Sequence, residues 1–183
     1  MSVPDRISEA AVSPFTSADV AEILCRRGWL AGAPPPGDSP LNAWLAHAAQ
    51  LLGPHASDRD ALTGLLALVF DYNVAEIAQR INTHAVVVRE GGREVIRALG
   101  HLVLSGGPVD SDRFKEIVNA LKATLPHRGR SLFFPIRLAL AGRAGDGGLD
   151  RVILLLDAAA QLPFATRVKG TRERMLEFCA ALD

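Results

Sequence analysis

Apolar side chains recur along this chain at the three- and four-residue spacings of amphipathic helices. The spacing is clear at residues 41–51 and 62–70, and each run follows residues that favour a helix N-terminus: Ser39 with Pro40, then Ser57 with Asp60. Further helices are predicted to start near Thr16, Val74, Glu94, Asp110, Ser131, Leu149 and Thr171. We therefore expect an all-α, multihelical fold.

Residues 85–88 are the ambiguous place in this pattern. Their sequence, AVVV, is rich in β-branched side chains and suits a strand. A strand needs a partner strand, however, and no other segment offers one, so we expect a helix. Whether Val86 to Val88 belong to the core or to a contact surface stays open.

Breaks in the pattern suggest the domain organisation. Residues 1–37 are interpreted as an arm, a short helix and the proline-rich connector at Pro34 to Pro36. The connector is either a spacer or a ligand for an aromatic groove, and the spacer is favoured because a full P-x-x-P context is missing. Residues 38–183 are predicted to form a helical domain with two small subdomains, 38–104 and 105–183.

Residues 131–156 form the most distinctive pattern in the sequence. An apolar helix carries Arg137, and Pro135 is expected in the first turn of that helix, where proline costs no hydrogen bond. The glycine-rich run from Gly142 to Gly148 then interrupts the helix, and an apolar helix resumes at Leu149. The segment predicts a helix, a loop and a second helix.

The letters LFFPIRLALAG at residues 132–142 resemble the L-F-x-P-[LI]-R-x-A-L-[TA]-G pattern of bacterial glutamyl-tRNA synthetases, in their C-terminal anticodon-binding region. Residues 93–99 and 114–121 stand in the order and approximate spacing of that family's preceding helices. The resemblance covers roughly residues 57–157. It implies the multihelical fold of the anticodon-binding region, with tRNA as the partner.

The resemblance also implies site residues. In the family, the arginine of the P-[LI]-R element and the loop and first helical turn after A-L-x-G approach the anticodon. These positions correspond to Arg137, Gly147 and Leu149, with Leu149 as an apolar base contact. Arg143 and Arg130 are further candidates for phosphate or base contacts.

Two alternatives bear on these candidates. Asp146 stands where the family can place a small neutral residue, and its carboxylate has the wrong charge for phosphate. Arg137 could instead be a structural arginine that packs against apolar neighbours. Trp44 could be a platform for a nucleobase, but at helical spacing a core position is favoured.

The charge distribution supports a nucleic-acid partner. The whole chain is formally neutral, with 20 basic and 20 acidic side chains. Between residues 128 and 174 there are nine basic side chains against four acidic ones, a local excess of five. The nine are Arg128, Arg130, Arg137, Arg143, Arg151, Arg167, Lys169, Arg172 and Arg174. Clustered arginines can neutralise phosphates and stack on bases, although an ordinary solvated surface is the alternative.

Catalytic signatures are absent from the sequence. It has no phosphate-cradling P-loop, no dinucleotide fingerprint, no nucleophile elbow and no metal-ligand spacing, and the ATP-handling motifs of synthetases are missing. We expect no enzyme activity, no cofactor and no metal. The two cysteines, Cys25 and Cys179, are expected as reduced thiols in a cytoplasmic protein, and no apolar run is long enough to span a membrane.

The leading hypothesis is a non-catalytic, bacterial RNA-binding module that binds tRNA as a synthetase anticodon-binding domain does. The alternative is a helical scaffold reused as a subunit of a protein assembly, without RNA binding. A third interpretation is a separately encoded part of a split synthetase, with a protein partner that supplies the catalytic domain.

Overall fold

A computed structural model of the chain describes residues 12–89 and 91–183. In this part the chain forms ten α-helices and a 3₁₀ turn at Gly53–His55, with no β-strand, which confirms the all-α prediction. The helices are α1 (Ser17–Arg26), α2 (Pro40–Leu52), α3 (Arg59–Phe70), α4 (Val74–Gln79), α5 (Ile81–Val88), α6 (Gly92–Leu104), α7 (Ser111–Thr124), α8 (Arg130–Ala141), α9 (Gly148–Ala159) and α10 (Thr171–Leu182).

Polar side chains start several helices as the sequence predicts. Thr16, Ser39 and Asp110 each accept a hydrogen bond from a backbone N–H in the first turn, of α1, α2 and α7 respectively. The start of α3 differs from the prediction. Asp58, not Ser57, is its N-cap, because the Asp58 carboxylate lies within 2.8 Å of the third helical N–H.

Helix α8 is longer at its start than the sequence predicts. Gly129 is the N-cap, with a φ of 56°, and its carbonyl accepts a hydrogen bond from the N–H of Phe133. The helix therefore begins at Arg130, and Pro135 is its sixth residue rather than part of its first turn. The prediction for Pro135 was wrong, and the helix lacks one internal hydrogen bond at that position.

Residues 74–88 form two short helices. Helix α4 ends at Gln79, because Arg80 has an extended backbone with a ψ of 137°, and α5 follows at once. The helix expected at residues 85–88 is confirmed. Val87 is buried, whereas Val88 is exposed.

Helix α9 lies at the centre of the packing, against α2, α3 and α8. Most of its apolar side chains are almost fully buried, and the backbone carbonyl of Leu155 accepts a 3.1 Å hydrogen bond from the Trp44 indole N–H. Trp44 is itself 3% exposed, so its core position is confirmed. The indole cannot stack on a base from this position.

Aromatic contacts join the ends of the chain to this core. Trp29 stacks on Phe70 with ring centroids 4.8 Å apart, and Phe164 meets Trp44 edge-on at 5.1 Å. The Ser13 hydroxyl donates to the carbonyl of Ala49. Residues 1–11 of the predicted arm lie outside the described residues, and the subdomain boundary at 104/105 stays a prediction.

Arg174 is a fully buried charge that sequence reasoning counted among the surface cations. Its guanidinium donates four hydrogen bonds of 2.6–2.9 Å, to the backbone carbonyls of Leu68, Val69, Leu140 and Lys169. Three of these carbonyls belong to the last turns of α3 and α8, where helix carbonyls lack internal partners and the helix dipole is negative. Burial lowers the pKa of Arg174 to about 10, so the group stays charged at neutral pH.

Candidate nucleic-acid interface

The loop between α8 and α9 starts at a glycine that the fold requires. Gly142 ends α8 with a φ of 81°, and a Cβ there would lie only 3.0 Å from the Cδ1 of Ile77. The Gly142 carbonyl accepts a hydrogen bond from the Arg80 guanidinium. The loop therefore leaves the core at a fixed point and in a fixed direction.

Arg137 donates hydrogen bonds to this loop and to the first turn of α9. Its Nε and Nη2 donate to the two carboxylate oxygens of Asp150 at 2.7 and 2.9 Å, and its Nη1 donates to the carbonyl of Gly145 at 2.7 Å. The Phe133 ring lies 4.9 Å from the guanidinium carbon. Only 12% of the Arg137 side chain is exposed, and all three of its nitrogens donate within the protein. These contacts are the ones expected if Arg137 has a structural role, which is the alternative to a contact with RNA.

Asp146 accepts a hydrogen bond from the first turn of α9. Its Oδ1 accepts a 3.0 Å hydrogen bond from the N–H of Gly148, the first residue of the helix. A carboxylate at this place compensates the positive end of the helix dipole. The departure from the synthetase pattern therefore has a local structural reason.

The remaining predicted contacts in this region differ in accessibility. Leu149 is 1% exposed and belongs to the core, which corrects its assignment as a contact for a base, since α9 turns this side chain toward the helices it packs against. Gly147 and Arg143 are exposed. Within the described residues, the Arg143 side chain makes neither an ion pair nor a hydrogen bond.

A cleft of about 290 Å³ opens beside Gly147, between α7 and α9. We call it the α7–α9 cleft, and its lining residues are His55, Ser111, Phe114, Lys115, Gly147, Asp150, Arg151 and Leu154. Sequence reasoning did not identify the roles of His55, Lys115 and Arg151. They are far apart along the chain, so local spacing gave no signal that they share a site.

The electrostatics of the α7–α9 cleft favour an anion. Arg151 is exposed and has no carboxylate partner in the described ranges, whereas Lys115 lies 3.5 Å from the highly exposed Asp112. The acid in the lining, Asp150, is already neutralised by its two bonds to Arg137. The N-termini of α7 and α9 also border the cleft, through Ser111 and Gly147, but their dipoles are already compensated by the Asp110 and Asp146 carboxylates, so the positive charge of the cleft comes from Arg151 and Lys115.

Arg130 does not belong to this group. It starts α8, whereas the loop follows the end of that helix, and twelve helical residues separate the two by about 18 Å. Its guanidinium lies 5.9 Å from the ring of Phe134, and it shares a crevice with Arg89.

Several other basic side chains of the C-terminal third are engaged within the protein. Arg167 forms two 2.8 Å bonds with Glu173, Lys169 pairs with Glu177, and Arg128 donates to backbone carbonyls. Positive charge without an internal carboxylate partner is therefore concentrated at fewer places than the sequence count suggests, among them Arg143 and Arg151.

Residues 12–89 and 91–183 contain no group of three His, Cys, Asp or Glu side chains placed to hold a metal ion. No helix there combines the length and apolar character needed to cross a membrane.

Comparison with known proteins gives one informative similarity. The glutamate–tRNA ligase 2 of Syntrophus aciditrophicus (strain SB) is 34% identical to this chain over 73 residues. The similarity covers 39% of this chain and 15% of that protein. A part of this chain is thus related to a part of a glutamate–tRNA ligase. No family model matches the chain, and no solved structure matches it.

Proposed function

We propose that this protein is a non-catalytic RNA-binding module of the bacterial cytoplasm that binds tRNA as a synthetase anticodon-binding domain does. The observation that carries the proposal is the α7–α9 cleft, which Lys115 and Arg151 line beside the exposed Gly147. The partial similarity to a glutamate–tRNA ligase supports RNA as the class of anion.

The described contacts suggest a different role for each candidate residue. Arg143, Arg151 and Lys115 neutralise phosphates, because their ammonium and guanidinium groups reach the surface. Gly147 lets a strand approach the backbone closely, since no atom lies within 4 Å of the place where its Cβ would be. Arg137 is a positioning residue that fixes the loop, and Leu149 supports α9 from the core.

The test is equilibrium binding of total tRNA to the full chain at two salt concentrations. We expect micromolar binding that weakens steeply with salt, and a marked loss in Arg143→Ala. Gly147→Leu should also weaken binding, because it fills the mouth of the cleft without a steric clash in the protein. Gly107→Leu is the matched control, since Gly107 also has open space around its absent Cβ but lies in the groove at the other end of α9.

Absence of salt-sensitive tRNA binding by the wild-type chain would reject the proposal. Equal losses in Gly147→Leu and Gly107→Leu would place the RNA elsewhere on the surface. The proposed absence of catalysis is tested separately. ATP–pyrophosphate exchange with glutamate and tRNA should show no turnover. Any turnover above a heat-treated sample would contradict it.

A second candidate function is that of a subunit in a protein assembly. An assembly in which a partner supplies the catalytic domain is one form of this function. One observation favours it, the exposed apolar face of α5.

A further inference from the structure

Helix α5 exposes an aliphatic stripe to solvent. Ile81 is 86% exposed and Val88 is 75% exposed, and both are among the most exposed large apolar side chains in the described residues. They are seven residues apart on one helix, with the exposed His84 and Ala85 between them at helical spacing. The four side chains therefore form one continuous face.

The helix gains little support from the rest of the chain. It packs against α4, α6 and α8 through Thr83 and Val87, which are buried, and Val86, which is half-buried. Eight residues that end in three valines form a weak helix in isolation, because β-branched side chains lose rotamer freedom in helices. A contiguous exposed apolar face on a helix is typical of a surface that a partner covers. A partner on the open face of α5 would supply the missing cover.

Basic side chains stand at both ends of α5. Arg80 precedes α5 and Arg89 follows it, the exposed Arg93 lies in the first turn of α6, and Arg130 shares a crevice with Arg89 and Val86. Among the described residues, none of these four arginines has a carboxylate within ion-pair distance. The acids on the adjoining helices are engaged locally: Glu94 with His127, and Glu76 with Asn73.

We propose that this face docks an amphipathic helix of another protein, whose aliphatic stripe covers Ile81, Ala85 and Val88 and whose flanking carboxylates pair with Arg89 and Arg93. Apolar ridges meeting in a groove, with complementary charges at the rim, are the usual means of helix recognition. The aliphatic side chains and the basic residues at the helix ends together specify an acidic amphipathic partner.

The same features argue against two other occupants. In a symmetric pair of α5 helices from two copies, Arg80 of one copy would lie near Arg89 of the other, and like charges would oppose the contact. RNA gains little from isoleucine and valine, because single-stranded bases stack on aromatic rings and guanidinium planes. A second copy and RNA are therefore outcomes that the experiment must separate from a protein helix.

The experiment places the photo-crosslinking amino acid p-benzoylphenylalanine at position 85 of the full chain in lysate of the source cells. We expect a crosslink to another protein, at a segment with aliphatic residues at helical spacing and flanking aspartate or glutamate. A synthetic peptide of that segment should bind the wild-type chain, and about tenfold more weakly after Ile81→Glu, Val88→Glu or Arg89→Glu. Leu176→Glu on α10 is the matched control, since Leu176 is 51% exposed and lies away from α5.

Four results would overturn the proposal. They are a crosslink to a second copy of the chain, a crosslink to RNA, a captured segment without acidic flanks, and no crosslink above that of the probe placed at position 176. Arg89→Glu keeps the test decisive if a glutamate within α5 unfolds the helix, because Arg89 is exposed at the end of α5. Folding of each variant is checked by circular dichroism.

Discussion

The Arg137 guanidinium holds both carboxylate oxygens of Asp150, at 2.7 and 2.9 Å, across the loop between α8 and α9. The third bond of Arg137, to the carbonyl of Gly145, ties the middle of that loop to the same point. Arg137 therefore fixes the position of the loop, and its positive charge offsets the negative charge of Asp150 in the lining of the α7–α9 cleft. Replacing Arg137 should therefore lower both the free energy of unfolding and the affinity for tRNA.

Arg137→Ala should lower the free energy of unfolding by about 2 kcal/mol, because the largely buried Asp150 carboxylate loses its partner. The same change should weaken tRNA binding. Urea denaturation and filter binding measure the two effects.

Asp150→Ala separates a positioning role of Arg137 from direct contact with RNA. If Arg137 positions the loop, Asp150→Ala weakens tRNA binding as Arg137→Ala does, and the double variant is no worse than either single one. If Arg137 touches phosphate itself, Asp150→Ala frees the arginine and strengthens binding. That second pattern would contradict the positioning role.

Arg151→Ala and Lys115→Ala should each reduce the slope of log K against log salt by about one, as expected when one phosphate contact is lost. Unfolding free energies should change by less than about 0.5 kcal/mol, because both side chains are exposed. Arg167→Ala is the charge-matched control, since Arg167 lies against the C-terminal end of α9 and pairs with Glu173. Equal slopes for Arg151→Ala and Arg167→Ala would show that charge in general, not the cleft, attracts the RNA.

The helices could be predicted because their signals are local. Thr16, Ser39 and Asp110 precede apolar residues at helical spacing, and each of them caps the helix that follows. The α5 helix was predicted by elimination, because its valines alone favour a strand. Pro135 was misplaced because Gly129, with a positive φ, starts α8 earlier than the apolar pattern does.

The candidate site could be predicted only in part, because its members come from separate elements. Gly147 was found through the resemblance and Arg143 through the cluster of basic residues, and both are exposed, whereas Leu149, also taken from the resemblance, is buried in the core. Lys115 and Arg151 come to line one cleft only through the tertiary arrangement of α7 and α9, and no local sequence pattern predicts that arrangement.

Arg174→Met should lower the free energy of unfolding by about 3–5 kcal/mol, a loss typical of disrupted buried charged networks. Methionine fills a similar volume but leaves the last carbonyls of α3 and α8 without their buried donor. Thermal and urea denaturation measure the loss. Arg172→Met, on the exposed side of the same helix, should change stability by less than about 1 kcal/mol, and an equal loss in the two variants would contradict the role of Arg174 as a shared helix cap.

The start of α1 should contribute a pH-dependent part of the stability. Hydrogen bonds from the Thr16 backbone N–H and then the Thr16 hydroxyl lower the pKa of Asp19 below its ordinary value of 3.8. A carboxylate whose pKa is lower in the folded state stabilises the fold above its unfolded pKa and loses that effect as the pH falls through the folded pKa. Asp19→Ala should therefore cost about 0.5 kcal/mol at pH 7, the size expected for an exposed acid in a first helical turn.

This difference between wild type and Asp19→Ala should shrink as the pH falls below 4, because Asp19 becomes protonated in the wild type. Urea denaturation of both chains at pH 7, 5 and 3 measures it, and Asp112→Ala is a control in the first turn of α7, where the exposed Asp112 lies near Lys115 and no capping box joins it to the N-cap Asp110. A difference that stays constant from pH 7 to pH 3 would show that the Asp19 charge contributes nothing and that helix propensity explains the variant.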